Sequence, residues 1–273
     1  MPTATVNGVQ LAYRDEGAGR PLLLIHAFPL NSAIWERQIG PLARHYRVIA
    51  PDLRGFGASQ IGPGAASMDQ YADDLAGLLD QLGPGARRVA LGGLSMGGYI
   101  AFAFLRRYRE RVDALILADT RAQADTEEGR QTREQSARLA EEQGPGAIAD
   151  QMLPKLLSPH ASDELRTEVR RMIETNHRAG IAAALRAMAA RPDSTPLLAT
   201  IDVPTTIIVG AEDSLTPPSD ARAMHDAISA SRLVEIARAG HLSNLEAPDP
   251  FNAAIHALLT GEIAWGGGGG SSW

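Results

Sequence analysis

The chain has 273 residues, 44% of them hydrophobic, enough apolar material for one large core or a core with an inserted lobe. A formal charge of −6, with no basic stripe interleaved with aromatics, argues against a nucleic-acid partner, and the absence of cysteine excludes disulfides, thiolate nucleophiles and zinc–thiolate sites. The apolar runs reach only the length of a buried strand and the N-terminus lacks the pattern of a secretory leader, so a soluble cytoplasmic protein with no membrane partner is expected.

Residues 4–16 alternate apolar and polar positions around Asn7-Gly8, a hairpin signature. Residues 21–26 form a continuous apolar run, as expected of a strand buried on both faces. After the loop Ala27-Phe28-Pro29-Leu30, Asn31 or Ser32 can cap a helix running through Trp35. A strand over 46–50 leads into Pro51-Asp52-Leu53-Arg54-Gly55-Phe56-Gly57-Ala58-Ser59, and helical spacing runs from Asp69 to Leu82 before Gly83-Pro84-Gly85 stops it. A strand over 88–94, a helix over 97–109 and a strand over 112–118 follow. Strands alternating with helices imply βαβ units and a mostly parallel sheet flanked by helices.

At residue 120 the alternation breaks. Residues 120–195 contain no convincing strand, and breaks at Gly144-Pro145-Gly146, Ser158-Pro159, Gly180 and Arg191-Pro192 divide them into about four helices. The alternation then resumes with a strand at 205–209, a helix at 217–229, a strand at 232–237 and a helix at 248–259. The expected organisation is therefore a discontinuous α/β core, residues 1–119 and 196–262, with an all-helical cap at 120–195. Residues 263–273, glycine-rich and ending Ser-Ser-Trp, read as a flexible tail outside the fold.

The chemistry is concentrated at Gly93-Leu94-Ser95-Met96-Gly97, where a strand turns into a helix with glycines flanking a serine. A turn this tight lifts the hydroxyl above the sheet edge, and the helix start points free N–H groups at whatever sits over it. A serine nucleophile needs a base, and the base needs an acid to hold its tautomer, both from loops at the carboxyl ends of strands. Of the seven histidines, His241 follows a strand and a glycine and is the expected base. His45, His160, His177, His225 and His256 fall in helices or their flanks, and His26 lies in the loop expected to stabilise an oxyanion. Asp213 is favoured as the acid, with Asp119, which also ends a strand, as its rival. The oxyanion donors are expected to be the N–H groups of Met96 and Phe28, with Ala27 and Leu30 as alternatives because Pro29 has no N–H.

With these residues in place, the chain resembles the α/β-hydrolase superfamily over residues 4–260, and most closely its branch of small carboxylesterases, enol-lactone hydrolases and cofactor-free haloperoxidases or perhydrolases. Residues 26–30, 52–59, 93–99, 210–213 and 240–248 each match a family motif, and Ser95, Asp213 and His241 stand in the family's order. One departure is Ala27, where the family usually has glycine; a positive φ there would strain an alanine. Asp52, Arg54, Gly55 and Gly57 match a mainly structural segment, and Glu246 and Pro248 read as support for the His241 loop. Serine at the elbow and the absence of aromatics from 120–195 set the chain apart from dehalogenases and epoxide hydrolases, and Met96 sets it apart from proline-specific aminopeptidases.

The resemblance implies cleavage of a small-molecule ester or lactone through an acyl-enzyme, without cofactor or metal. Interception of that acyl-enzyme by hydrogen peroxide, and a ligand receptor with vestigial hydrolysis, are the alternatives. Met152, Leu153, Leu156, Leu157, Ile181, Leu185 and Met188 are the candidate pocket lining from the cap. Such an apolar lid suits small to medium uncharged acyl groups; a carboxylate-bearing lactone fits only where a cap arginine points inward.

Overall fold

The structure, a computed structural model, describes residues 1–62 and 66–262. The expected tail at 263–273 lies outside the described residues. Among the described residues, eight strands form one sheet in the order β1-β2-β4-β3-β5-β6-β7-β8. They are β1 Thr3–Val6, β2 Val9–Glu16, β3 Pro21–Ile25, β4 Arg47–Pro51, β5 Val89–Leu94, β6 Val112–Ala118, β7 Thr205–Gly210 and β8 Ser231–Ile236. The hairpin β1–β2 turns at Asn7 and Gly8, both at positive φ, and β2 meets β4 antiparallel; the remaining pairings are parallel. The apolar runs of β3 and β5, and β7 with its two threonines, are buried along their full length, as strands covered on both faces must be.

The helices around the sheet are α1 (Glu36–Leu42), α2 (Met68–Gln81) and α3 (Met96–Tyr108). Between β6 and β7 come α4 (Glu127–Gln143), α5 (Pro145–Leu156), α6 (Asp163–Glu174), α7 (Arg178–Ala189) and the short α8 (Thr195–Leu198). After β7 come α9 (Pro218–Ala227), α10 (Ser243–Glu246) and α11 (Pro248–Thr260). The helix starts follow local chemistry: Ser67, Thr126 and Ser162 each accept, through their side chains, a hydrogen bond from a first-turn N–H of α2, α4 and α6. The helix expected after Asn31 begins as a 3₁₀ turn, Ser32–Trp35, and continues as α1. Among the described residues, no helix is long and apolar enough to cross a membrane.

Strand order decides where a site can form. The chain moves outward from β3 to β4, then returns to the other side of β3 with β5. The loops leaving β3 and β5 therefore diverge and open a crevice at their carboxyl ends. Ser95 and residues 26–30 lie at those ends, and α4–α7 are inserted after the neighbouring strand, β6.

Candidate active site

Ser95 joins β5 to α3 at φ 56° and ψ −114°. For a residue with a Cβ, such a conformation costs on the order of 1–3 kcal/mol and persists only where the surroundings enforce it. Here they do. The Ser95 N–H donates to the carbonyl of Ala118 at 2.9 Å, and the Thr120 hydroxyl donates to the Ser95 carbonyl at 2.8 Å. A Cβ on Gly93 would lie 2.2 Å from the Gly97 carbonyl oxygen, and one on Gly97 would lie 2.3 Å from that of Ile25. Both glycines are required by the close approach of α3 to β5 and β3.

The Ser95 Oγ lies 2.8 Å from His241 Nε2, and His241 Nδ1 lies 2.8 Å from Asp213 Oδ2. Because Nδ1–H donates to a carboxylate, Nε2 presents its lone pair to the serine hydroxyl. Asp213 Oδ1 accepts the N–H groups of Leu215 and Thr216 at 2.8 and 3.0 Å, and Oδ2 also accepts the Thr216 hydroxyl at 2.6 Å. Burial works against the Asp213 charge, but His241 and the hydrogen bonds from His241 and Thr216 outweigh it and hold the carboxyl below the usual range. The three residues are 9%, 3% and 2% exposed for Ser95, Asp213 and His241.

Asp119 occupies a different position. It ends β6 at φ 43°, is fully buried, accepts the Gly210 N–H at 2.8 Å and hydrogen-bonds the Ser243 hydroxyl. Burial, reinforced by the nearby Asp213 charge, pushes its carboxyl well above the usual range. It braces β7 against the turn after His241, and among the described residues no hydrogen bond joins it to His241. Glu246 braces the same loop by accepting the Gly240 N–H at 2.9 Å and, from the helical segment, the Ser158 N–H at 3.0 Å.

The loop after β3 puts Phe28 on the wall of the cavity that also holds Ser95. Among the described residues, neither the Phe28 nor the Met96 amide meets an acceptor in the protein, whereas Leu30 donates its N–H to Ala27 O at 2.9 Å. Ala27 is not among the residues at positive φ, so its Cβ brings no backbone strain. His26 aims this loop. Its Nδ1–H donates to Ala27 O at 3.0 Å, while Nε2 accepts the Leu53 N–H at 3.1 Å, a pairing that only the neutral ring satisfies. A peptide unit is planar, so pinning Ala27 O also fixes the direction of the Phe28 N–H. Burial lowers the His26 pKa and keeps the ring neutral. The other histidines lie elsewhere: His160 faces Glu212, His225 faces Ser231 and His256 faces Tyr46.

A cavity of about 80 Å³ sits directly over Ser95 and His241, walled by Phe28, Tyr99, Thr216 and Met188. It shares Phe28, Arg121, Arg133, Met152 and Leu215 with a larger outer cavity of about 450 Å³, bounded by residues from α4 and α5. Of the expected lining, Met152, Leu185 and Met188 face these cavities. Leu153, Leu156, Leu157 and Ile181 do not: Leu156, Leu157 and Ile181 are buried in the core and Leu153 packs against it, because the apolar stripe of each helix is spent on packing before it can line a pocket.

The chamber is also less apolar than the composition implies. Arg133 on α4 grips Asp125 through Nε and Nη2, while its Nη1 meets, among the described residues, only the Met188 sulfur, at 3.4 Å, a weak acceptor. Asp125 is shared with buried Arg191, 2.8 Å away, whose guanidinium stacks 4.1 Å over the Tyr99 ring. Arg121, the other chamber arginine, lies 3.5 Å from Asp220. Tyr99 was recognisable in principle, four residues beyond Ser95 on the same helix face. The inward turn of Arg133 has no counterpart in sequence pattern, because α4 also carries Arg130 and Arg138 and spacing alone does not say which of the three faces the chamber.

The fold thus brings a serine, a histidine and an aspartate into one hydrogen-bonded line at the switch point of the sheet. The family model for the alpha/beta hydrolase fold matches residues 20–248, and the chain belongs to that family. Its relatives within that family include esterases and enol-lactonases. It is 32% identical to a 3-oxoadipate enol-lactonase of Acinetobacter baylyi over 94% of this chain and 96% of that one. It superposes on a malate-bound thermophilic esterase from Thermogutta terrifontis with TM-score 0.91, at 44% identity over 95% of this chain and 96% of that one. An enol-lactonase from Burkholderia xenovorans gives TM-score 0.87 and 30% identity over 95% of this chain and all (100%) of that one.

Proposed function

We propose that this hydrolase cleaves carboxylic esters or lactones of small to medium acyl groups through an acyl-enzyme on Ser95. The observation that carries this reading is the unbroken line Ser95 Oγ–His241 Nε2–Asp213 Oδ2, with 2.8 Å at each step. Ser95 Oγ attacks the carbonyl carbon as His241 takes its proton. The carbonyl oxygen becomes an oxyanion held by the Phe28 and Met96 amides, and His241 returns the proton to the leaving alkoxide. Water then repeats the cycle on the acyl-enzyme, and residues 120–195 act as the cap that bounds the acyl site. No step calls for a cofactor.

The Arg133 Nη1 and Arg121, both at the chamber wall, favour acyl groups that carry a free carboxylate over the uncharged ones expected from lid composition. The enol-lactonase and malate-bound esterase relatives agree with that preference. A panel of esters and lactones, with Ser95→Ala beside the parent, tests the mechanism: Ser95→Ala should fold and lose turnover, and retained hydrolysis refutes the reading. A burst followed by negligible steady-state rate would instead identify a receptor.

A further inference from the structure

The helical segment does more than cover the chamber. Asn176, between α6 and α7, is 4% exposed and uses its amide in every direction. Its Nδ2 donates to the Pro29 carbonyl at 2.7 Å and to the Met172 carbonyl at 2.9 Å. Its Oδ1 accepts the Gly57 N–H at 2.7 Å and the Asn31 side-chain amide at 3.4 Å. Two carbonyls on one side and an N–H on the other admit one amide orientation only. Three segments therefore meet at this side chain: the end of α6, the loop carrying Phe28, and the 52–59 loop.

The backbone beside it is locked to match. A Cβ on Gly180 would lie 2.0 Å from the Gly55 carbonyl oxygen, so the first turn of α7 is seated directly on the 52–59 loop. Asn176 and Gly180 line neither cavity over Ser95, and most of the outer cavity's wall comes from the 121–126 segment, α4 and α5. The α6–α7 junction is thus a fixed edge of the cap.

Phe28 stands between two pinned carbonyls. Ala27 O is held from the core by His26 and Leu30, and Pro29 O is held from the cap by Asn176. We infer that Asn176 is a positioning residue for the oxyanion donor: by anchoring Pro29 O it fixes the loop that aims the Phe28 N–H, which makes the cap part of the transition-state machinery. This inference rests on the serine-hydrolase reading above.

The test compares the parent with Asn176→Ala, Asn176→Asp and Val169→Ala, a buried α6 position outside both cavities. Each is assayed on a short-chain p-nitrophenyl ester and on a p-nitrophenyl phosphonate, whose tetrahedral adduct places an oxygen where the oxyanion forms. All rates are normalised to phosphonate-titrated sites, so a partly folded preparation still reports. Loss of an oxyanion donor outright costs about 10²–10³ in kcat, and a donor left loosely aimed should lose roughly 10-fold to 100-fold. Asn176→Ala and Asn176→Asp should show that loss in kcat and in the phosphonylation rate, with KM nearly unchanged. Asn176→Asp, close to isosteric and still able to accept from Gly57, serves if Asn176→Ala does not fold. Val169→Ala should lower Tm and leave kcat per site at the parental value. Asn176 variants with lowered Tm but parental kcat and phosphonylation rate per site overturn the inference, because Asn176 would then only hold the cap in place. If Ser95→Ala retains parental turnover, the hydrolase reading itself fails, a result separate from either outcome at Asn176.

Discussion

Replacing Asp213 with asparagine tests the acid assignment without changing the shape of the site. In the parent, Oδ2 faces His241 Nδ1 and the Thr216 hydroxyl, while Oδ1 accepts two backbone N–H groups, from Leu215 and Thr216. An asparagine that keeps its oxygen on those two N–H groups turns its NH₂ toward His241. The imidazole must then accept at Nδ1 and carry its proton on Nε2, where it cannot take the Ser95 proton. Flipping the amide restores the useful tautomer but sets NH₂ against two buried donors, each then unsatisfied at about 1–3 kcal/mol. The productive arrangement is therefore disfavoured by about 2–6 kcal/mol, a population of roughly 3 × 10⁻² to 4 × 10⁻⁵. The expected loss in kcat is about 30-fold to 10⁴-fold, the upper end matching a triad that loses its acid. The assay is steady-state hydrolysis of p-nitrophenyl butyrate, with thermal unfolding run alongside to show the fold intact. A loss under about tenfold, or a larger loss in Asp119→Asn, refutes the assignment of Asp213 as the acid.

Arg133→Met should cut kcat/KM for the p-nitrophenyl half-ester of glutaric acid by about 10-fold to 100-fold relative to the uncharged valerate ester, the worth of one hydrogen bond to a charged group. Equal losses on both esters would remove Arg133 from carboxylate recognition. His26 has a depressed folded-state pKa, so its contribution to stability is present above its unfolded value and lost as pH falls below about 6.5; His26→Gln should flatten the pH dependence of Tm in that window. An unchanged slope would show that His26 is not held neutral. Asp119 has the opposite sign: its raised pKa gives a contribution present at low pH and lost as pH rises above about 3.9, so Asp119→Asn should gain stability relative to the parent toward neutral pH. A larger deficit at pH 7 than at pH 4 would contradict a raised carboxyl at Asp119. Gly97→Ala forces a Cβ to 2.3 Å from the Ile25 carbonyl oxygen and should cost at least about 1–3 kcal/mol in unfolding experiments. Gly98→Ala would press a Cβ to 2.4 Å from the Thr120 hydroxyl that holds the Ser95 carbonyl and should also destabilise; a negligible loss in both variants would mean the elbow is not tightly packed.

Local pattern by itself determined the framework. Period-two and unbroken apolar runs marked the strands, helical spacing marked α2 and α3, and two glycines around Ser95 marked a turn too tight for side chains. Each is a property of consecutive residues, so reading it needs no knowledge of the partner. Chain order then implied that a serine, an acid and a histidine at the ends of parallel strands share one edge. The tertiary structure decided what depends on direction. Asp119 and Asp213 both end strands, and only the turn through Thr216 brings one of them to His241 while the other is buried under Ser243. Met188 and Ile181 lie on the same helix, yet packing against the core consumes one and leaves the other over Ser95. Arg133 turns inward because Asp125, eight residues earlier, holds it there. Asn176 reaches Pro29 across 147 positions of sequence, a contact that no spacing rule encodes because it exists only once the helical insertion is seated on the sheet.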